Sequence, residues 1–246
     1  MIRVAVSGGA GRMGRMAAET IAAETDLELA GAYDPHGQGA LVAGVTCTTD
    51  LSSIDCDVLV DWTTPDAVMN NVAAAAERNW HVVIGTSGFD GAKRDRLREI
   101  WSTANGNCLL VPNFSIGAVL MMRFAELAAP HFTGVEVIEA HHEDKADFPS
   151  GTALSTAARI AAAGGANIAD TAGRGTDVDG VPVHSIRIPG VIASQEVVSG
   201  GLGETLSIRH DTFDRRAFMP GMLMAIKGVA DLPDKVTVGL DSLLGL

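Results

Sequence analysis

The stretch "EAHHEDKADFPSGTA", residues 139–153, gathers two histidines, a lysine and a helix-start signature in a chain of formal net charge -12. An imidazole with a pKa near ~6.5 exchanges protons at neutral pH, and a lysine ammonium can protonate developing negative charge. Ser150 reads as an N-cap, with Gly151 and Thr152 opening an Ala-rich helix whose N–H groups and positive end suit a carboxylate. Lys145 adds a full charge. His141 and His142 follow an apolar run of strand length, and successive strand residues face opposite sides, so they are not expected to share one metal ion. Each residue alone has a plainer reading: a lone histidine is commonly a satisfied structural group, and Lys145 among Glu143, Asp144 and Asp147 resembles a solvated charge cluster. The grouping beside a helix start is what predicts a local cationic site for a small anion.

A second chemistry lies at the other end of the chain. In "VAVSGGAGRMG" the glycines Gly8, Gly11 and Gly14 recur every third residue directly after the first apolar run. Such a turn lets backbone N–H groups reach a pyrophosphate whose charge the following helix stabilises. The spacing is G-x-x-G-x-x-G rather than G-x-G-x-x-G, and alone it fits many structural turns. Asp34 closes the second apolar run, 20 residues beyond Gly14, where a carboxylate accepts hydrogen bonds from an adenosine ribose. Its alternative is a turn-forming Asp before Pro35. Two further strand ends, "VVIGTSG" with Gly85, Thr86 and Ser87, and "LLVPNFSIG" with Pro112, Asn113 and Phe114, fall where open α/β sheets bind ligands. Small residues there would let a nicotinamide ring approach the backbone, and hydroxyls would hold its amide.

The elements that must position these groups follow from periodicity. Apolar runs "IRVAVS", "LELAGAY", "DVLVDW", "HVVIG" and "NCLLVP" alternate with helix-length segments at 12–24, 65–78 and 91–104, which predicts a parallel sheet with crossover helices. From about residue 133 the rhythm changes to "GVEVIEAHH", a helix over 151–163, then "VHSIRI", "VIASQEVVS" and "TLSIRH", with "GGLG" at 200–203 turning the last two into a hairpin. The polar, Gly-rich stretch 165–182 is expected to be a long surface loop. After it "RRAFMPGMLMAIKGVA" is helical and "KVTVG" a strand, returning the chain to the first domain. The domains expected are 1–113 joined by 217–246, and 114–216.

At 246 residues the chain can bury a sizeable core, and 47% hydrophobic content suits an α/β protein. Its acidity and 4% aromatic content argue against nucleic acid and anionic membranes as partners. Three cysteines, Cys47, Cys56 and Cys108, show no C-x-x-C spacing, so neither a disulfide framework nor a zinc site is expected. No leader precedes the first strand and no membrane-length apolar window is present, so a cytoplasmic location is expected.

The strings "GGAGRMG", "GTSGF", "VPNFSIG" and above all "HHEDKADFPSGT" resemble the 4-hydroxy-tetrahydrodipicolinate reductase family of the diaminopimelate route to lysine, in order over nearly the whole chain. The resemblance implies a homotetramer with an N-terminal Rossmann-type domain and a second α+β domain, with a mixed, largely antiparallel sheet, for substrate and assembly. It implies NAD(P)H contacts at Gly8, Gly9, Ala10, Gly11, Arg12, Met13, Asp34, Gly85, Thr86, Ser87, Val111, Pro112, Asn113 and Phe114. It implies His141 as proton donor or acceptor, Lys145 as proton donor, His142 as a substrate contact, and Gly151 with Thr152 as a clamp for a dicarboxylate substrate. Two departures stand out: Ser87 replaces a threonine of the family's usual loop, and Pro35 and His36 follow Asp34 where some members carry an arginine. Use of both NADH and NADPH is expected, with NADH preferred. The competing expectations are a non-catalytic dinucleotide-sensing module and another reductase of a small carboxylate.

Overall fold

The computed structural model describes residues 1–165 and 173–246, in which the chain forms two compact units, Met1–Phe114 with Phe218–Leu246, and Ser115–Ala217. In chain order the first unit begins with β1 (Ile2–Ser7), α1 (Arg12–Ala23), β2 (Leu27–Tyr33), β3 (Leu41–Val42), β4 (Val45–Thr46), β5 (Val58–Asp61), α2 (Val68–Glu77), β6 (His81–Ile84), α3 (Gly91–Trp101) and β7 (Cys108–Leu110). The second unit holds α4 (Ile116–Ala128), β8 (Gly134–His141), α5 (Gly151–Ala162), β9 (Thr176–Val178), β10 (Val181–Arg187), β11 (Ala193–Gly201) and β12 (Glu204–Thr212). The chain closes with α6 (Met219–Gly228), β13 (Val236–Val238) and α7 (Asp241–Leu244) in the first unit.

The first unit is an all-parallel sheet of order β2-β1-β5-β6-β7-β13. Strands buried on both faces need near-continuous apolar sequence, and "VAV", "VLV" and "VVI" supply it. Ala5, Leu59, Val82 and Cys108 share the face covered by Val68, Val72, Leu97 and Trp101 of α2 and α3. Val4, Val6, Val60, Val83 and Leu109 are equally buried on the other face, where α1 and α6 lie. Because β1 pairs with β2 on one side and β5 on the other, the strand order reverses there, and in open α/β sheets the crevice at that reversal is where ligands bind. The returning strand expected from "KVTVG" is β13, hydrogen-bonded to β7 at the sheet edge. The three cysteines are buried thiols, and burial pushes Cys56 up to about 12.

The second unit is a mixed sheet of order β12-β11-β8-β10-β9, in which only β8 and β10 run parallel. Alternation in β8 buries Val135, Val137 and Glu139 on one face, where they meet Ala153, Ala157 and Ile160 of α5 and Ala125 of α4. The expected 200–203 hairpin is present, closed by Leu202 and Gly203 between paired Gly201 and Glu204. The expected 165–182 loop needs correction. Residues 166–172 lie outside the described ones, but Thr176–Val178 is a strand joined to β10 by a two-residue turn at Asp179 and Gly180, both at positive φ. Asp-Gly between β-branched residues is itself a hairpin signal, here submerged in polar sequence. The small hairpin of β3 and β4 was likewise absent from the expectation, since two-residue strands carry no period.

Candidate active site

In the first unit the glycine turn is shaped by close backbone approach. Gly8 sits at φ 76°, where a Cβ would lie 2.6 Å from the Trp62 carbonyl oxygen, and a Cβ at Gly14 would collide with the Gly8 carbonyl. Gly11 caps α1 without any side-chain hydrogen bond. The helix N-terminus is therefore not satisfied by a capping side chain, as an anion site requires. Gly8 and Gly9 donate to the Tyr33 carbonyl, Ala10 N–H donates to Asp34 Oδ2 at 3.2 Å, and His36 N–H to Asp34 Oδ1 at 2.9 Å. Asp34 thus forms the turn before Pro35 and stands against the glycine turn. Arg12 is exposed at the first position of α1, and Met13 is half-buried.

The later strand ends differ in detail from the expectation. The space beside Gly85 is filled by the rings of Trp62 and Phe114, whose centroids are 4.9 Å apart, so this glycine accommodates ring packing. Phe114 and Val111 are buried, while Pro112 and Ser87 are exposed and Asn113 half-buried. Thr86 is buried, with its hydroxyl donating to Asp61 Oδ1 at 2.6 Å. Asp61, 0% exposed at the end of β5, also accepts from Thr63 and from Asn71 Nδ2, which in turn reaches Ser7. This buried carboxylate ties together the ends of β1, β5 and β6.

In the second unit His141 ends β8, and its Nδ1 lies 2.6 Å from Glu139 Oε2. Glu139 has no exposed side-chain surface. It receives both Arg187 nitrogens, Nη1 at 3.0 Å and Nη2 at 2.9 Å, and the Ser150 backbone N–H at 3.3 Å. Burial alone would raise this carboxyl; hydrogen bonds from Arg187, Ser185 and His141 outweigh it and hold the group below its ordinary value. Burial likewise pushes the His141 pKa down, with Lys145 and Arg187 adding to it against the opposing pull of Glu139. Lys145 Nζ contacts both oxygens of Asp147, at 2.7 and 2.9 Å, and Lys145 N–H donates to the His142 carbonyl. Ser150 is the N-cap expected, its hydroxyl accepting from Ala153 N–H at 3.2 Å, and Gly151 and Thr152 form the first turn of α5. His142 is half-buried beside this cluster. The structure therefore gathers His141 and the α5 start around Glu139, and Arg187, bonded to the same carboxylate, holds the carbonyls of Lys145 and Asp147. Among the described residues no group of three or more His, Cys, Asp or Glu could hold a metal ion.

Residues 2–114 match the family described as dihydrodipicolinate reductase, N-terminus, and residues 117–244 match dihydrodipicolinate reductase, C-terminus. The chain belongs to the dihydrodipicolinate reductase family. A relative from Thermobifida fusca called 4-hydroxy-tetrahydrodipicolinate reductase is 48% identical over the full length of both chains. The solved structure of dipicolinate-bound dihydrodipicolinate reductase from Paenisporosarcina sp. TG-14 superposes with a TM-score of 0.82 at 37% identity, covering 98% of this chain and 99% of that one. A probable dehydrogenase from Thermotoga maritima, at 14% identity and a TM-score of 0.69, shares the fold alone. Family membership makes this chain an oxidoreductase with a nicotinamide dinucleotide, NAD(P)H, as its reductant. The glycine cradle and the α1 N-terminus fit such a group. No helix among the described residues is long and apolar enough to cross a membrane.

Two pairs of residues escaped the sequence reading. Glu139 and Arg187 were detectable in part: Val135, Val137, Glu139 and His141 share one phase of the β8 alternation, so a carboxylate stands where the period calls for an apolar residue. Arg187 pairs with His141 across the β8–β10 ladder, a register that the sequence alone does not give. Asp61 and Asn71 were hidden because Asp at a strand end is also an ordinary turn residue.

Proposed function

We propose that the chain catalyses the NAD(P)H-dependent dehydration and reduction of 4-hydroxy-tetrahydrodipicolinate to tetrahydrodipicolinate, in the diaminopimelate route to lysine. The observation that carries this reading is the meeting of His141, Arg187 and the start of α5 on Glu139, with Lys145 on the loop whose carbonyls Arg187 holds. A planar dicarboxylate is bound in the Paenisporosarcina relative, which supports a substrate of the same class here. One substrate carboxylate lies at the start of α5 against Gly151 and Thr152, and His142 contacts the second side of the ring. Anchoring at separated points fixes the ring's orientation, which converts binding energy into rate.

When bound, NAD(P)H supplies a hydride to the conjugated C=N system of the dehydrated substrate. The chain's own groups manage the protons. His141, its pKa lowered by burial, takes at Nε2 the proton of the ring C–H between the C=N carbon and the hydroxyl-bearing carbon; the electron pair of that C–H bond becomes the new C=C, and the proton goes to the departing hydroxide, which leaves as water. The Lys145 ammonium would supply the proton that accompanies reduction of the ring. The substrate loses water and gains one hydride and one proton, so atoms and charge balance. Gly8 to Met13, Asp34, the Gly85 to Ser87 loop and Val111 to Phe114 are assigned to the dinucleotide, with NADH preferred over NADPH because Asp34 opposes a 2′-phosphate.

The open face of the second sheet supports a homotetramer. Helices α4 and α5 cover one face, while on the other Ile186, paired with Ala140 of β8, is 45% exposed. Light scattering should give four times the chain mass. For the activity, freshly generated substrate should cause loss of reduced-nicotinamide absorbance; no loss above the enzyme-free control rejects the reading.

A further inference from the structure

Glu139 is a carboxylate buried where β8 would otherwise present a third apolar residue to α5, and every contact it makes leads to a different part of the cluster. Its Oε2 meets His141 Nδ1, which lies two residues along on the same face of the strand. Its Oε1 accepts the Ser150 N–H at the mouth of α5. Both oxygens accept from Arg187, which also donates to the Asp147 carbonyl at 2.7 Å and the Lys145 carbonyl at 3.4 Å. An ionised carboxylate can only accept, so the imidazole nitrogen facing it must carry the hydrogen. His141 Nε2 has no hydrogen-bond partner among the described residues. A purely structural ion pair would need Arg187 alone.

We propose that Glu139 is a positioning residue of the reductase: it fixes His141 as the Nδ1–H tautomer with Nε2 left to exchange the proton, and through Arg187 and Ser150 it fixes the loop that carries Lys145. This rests on the role assigned above to His141. It separates the two carboxylates of "VEVIEAH" by function, because Glu136, on the other face of β8, is bonded instead to His184 at 2.8 Å and to Arg174. The arrangement follows a general logic in which a buried acid orients an imidazole and raises its basicity while remaining ionised itself.

The first measurement needs no activity. With histidine labelled at both ring nitrogens, long-range proton–nitrogen correlation on the full-length protein should show His141, assigned by its absence in His141→Asn, as the Nδ1–H tautomer above its pKa. An Nε2–H tautomer overturns the proposal. The second is the pH dependence of kcat/KM in Glu139→Gln. The charged groups facing His141 are Glu139 on its own strand, Arg187 on β10, and Lys145 and Asp147 on the following loop. Removing the one that raises the His141 pKa most should move the acid limb about one pH unit lower. In the same variant kcat should fall at least about tenfold with little change in the dinucleotide KM. A folded Glu139→Gln protein with the wild-type limb and kcat also overturns the proposal. If that variant does not fold, the wild-type tautomer decides. If His141→Asn keeps full activity, the proton-transfer reading above fails, and the tautomer in wild type still reports whether Glu139 orients the ring.

Discussion

At the glycine turn the donors left over are backbone N–H groups at the start of α1, behind a turn too tight for a Cβ at Gly8 or Gly14, whereas around His141 and Lys145 they are titratable side chains, one held by buried Glu139 and one by Asp147. The first arrangement is fixed by sterics, costs nothing to desolvate as a charge, and is insensitive to pH. The second concentrates ionic groups, depends on every partner being present, and is coupled to proton uptake. Each suits its proposed ligand: a pyrophosphate needs close approach to backbone dipoles, while a substrate undergoing proton transfer needs groups that hold and release protons. The two regions should therefore fail differently.

The largest effect is expected in the ionic region. Lys145→Ala removes a charge-assisted contact and a proton donor at once, so kcat/KM for substrate should fall by ~10²–10⁴-fold. Dinucleotide affinity, measured by fluorescence titration without substrate, should barely change. A variant that keeps wild-type kcat/KM would make Lys145 and Asp147 a solvated surface pair.

Gly14→Ala should do the converse. The added Cβ meets the Gly8 carbonyl, a backbone atom that cannot swing aside, so the turn must open. Overpacking of this kind costs about 1–3 kcal/mol, and dinucleotide affinity should drop about tenfold or more while dipicolinate binding persists. Gly151→Ala is the contrasting control: nothing lies within 4 Å of its Cβ position, so the melting temperature should hold. Equal losses of both ligands in Gly14→Ala would erase the distinction between the regions.

The contrast also governs what the sequence could reveal. The glycine turn and the α5 start were legible because they rest on local constraints, a strand followed by small residues and an N-cap followed by alanines. The same holds for the parallel sheet, whose apolar runs need no partner to be recognised. The Glu139–Arg187 pair spans 48 residues and exists only through the β8–β10 register, which no local pattern encodes. The inward bond of the Thr86 hydroxyl to Asp61, a partner 25 residues earlier, is likewise carried by no local pattern.

A third, smaller effect is acid sensitivity confined to the ionic region. The folded His141 titrates below its ordinary 6.5, so below that pH the unfolded chain takes up a proton that the folded one does not, and stability falls. Glu139 titrates below its ordinary 4.5, so its contribution is present above that value and lost as pH falls through the folded pKa. Both signs agree, so the urea midpoint should fall between neutrality and the carboxylate range; in Glu139→Gln the loss at about pH 6 should steepen, because His141 loses the partner that raises its pKa, while the loss through the carboxylate range should shrink. A pH-independent midpoint over that window would contradict both shifts.

The smallest effect is expected at Asp34, where the two kinds of region meet, because a single carboxylate is attached to a backbone cradle. Its oxygens accept from Ala10 and His36 N–H groups, so the side chain is held in place yet remains partly exposed. A ribose hydroxyl can donate to the remaining lone pairs, whereas a 2′-phosphate brings like charge against like. Solvent and salt screen that repulsion, and the exposed Arg12 and His36 nearby in sequence partly offset it. The wild-type enzyme should accordingly use both cofactors, with kcat/KM a few-fold to about tenfold better for NADH. Asp34→Ala should narrow the ratio by weakening NADH more than NADPH. It also removes the acceptor for Ala10 N–H, so some loss with both cofactors is expected, and the ratio rather than either value is the diagnostic quantity. A wild-type preference for NADPH of about tenfold or more would mean that Arg12 and its neighbours, not Asp34, set the field at the ribose.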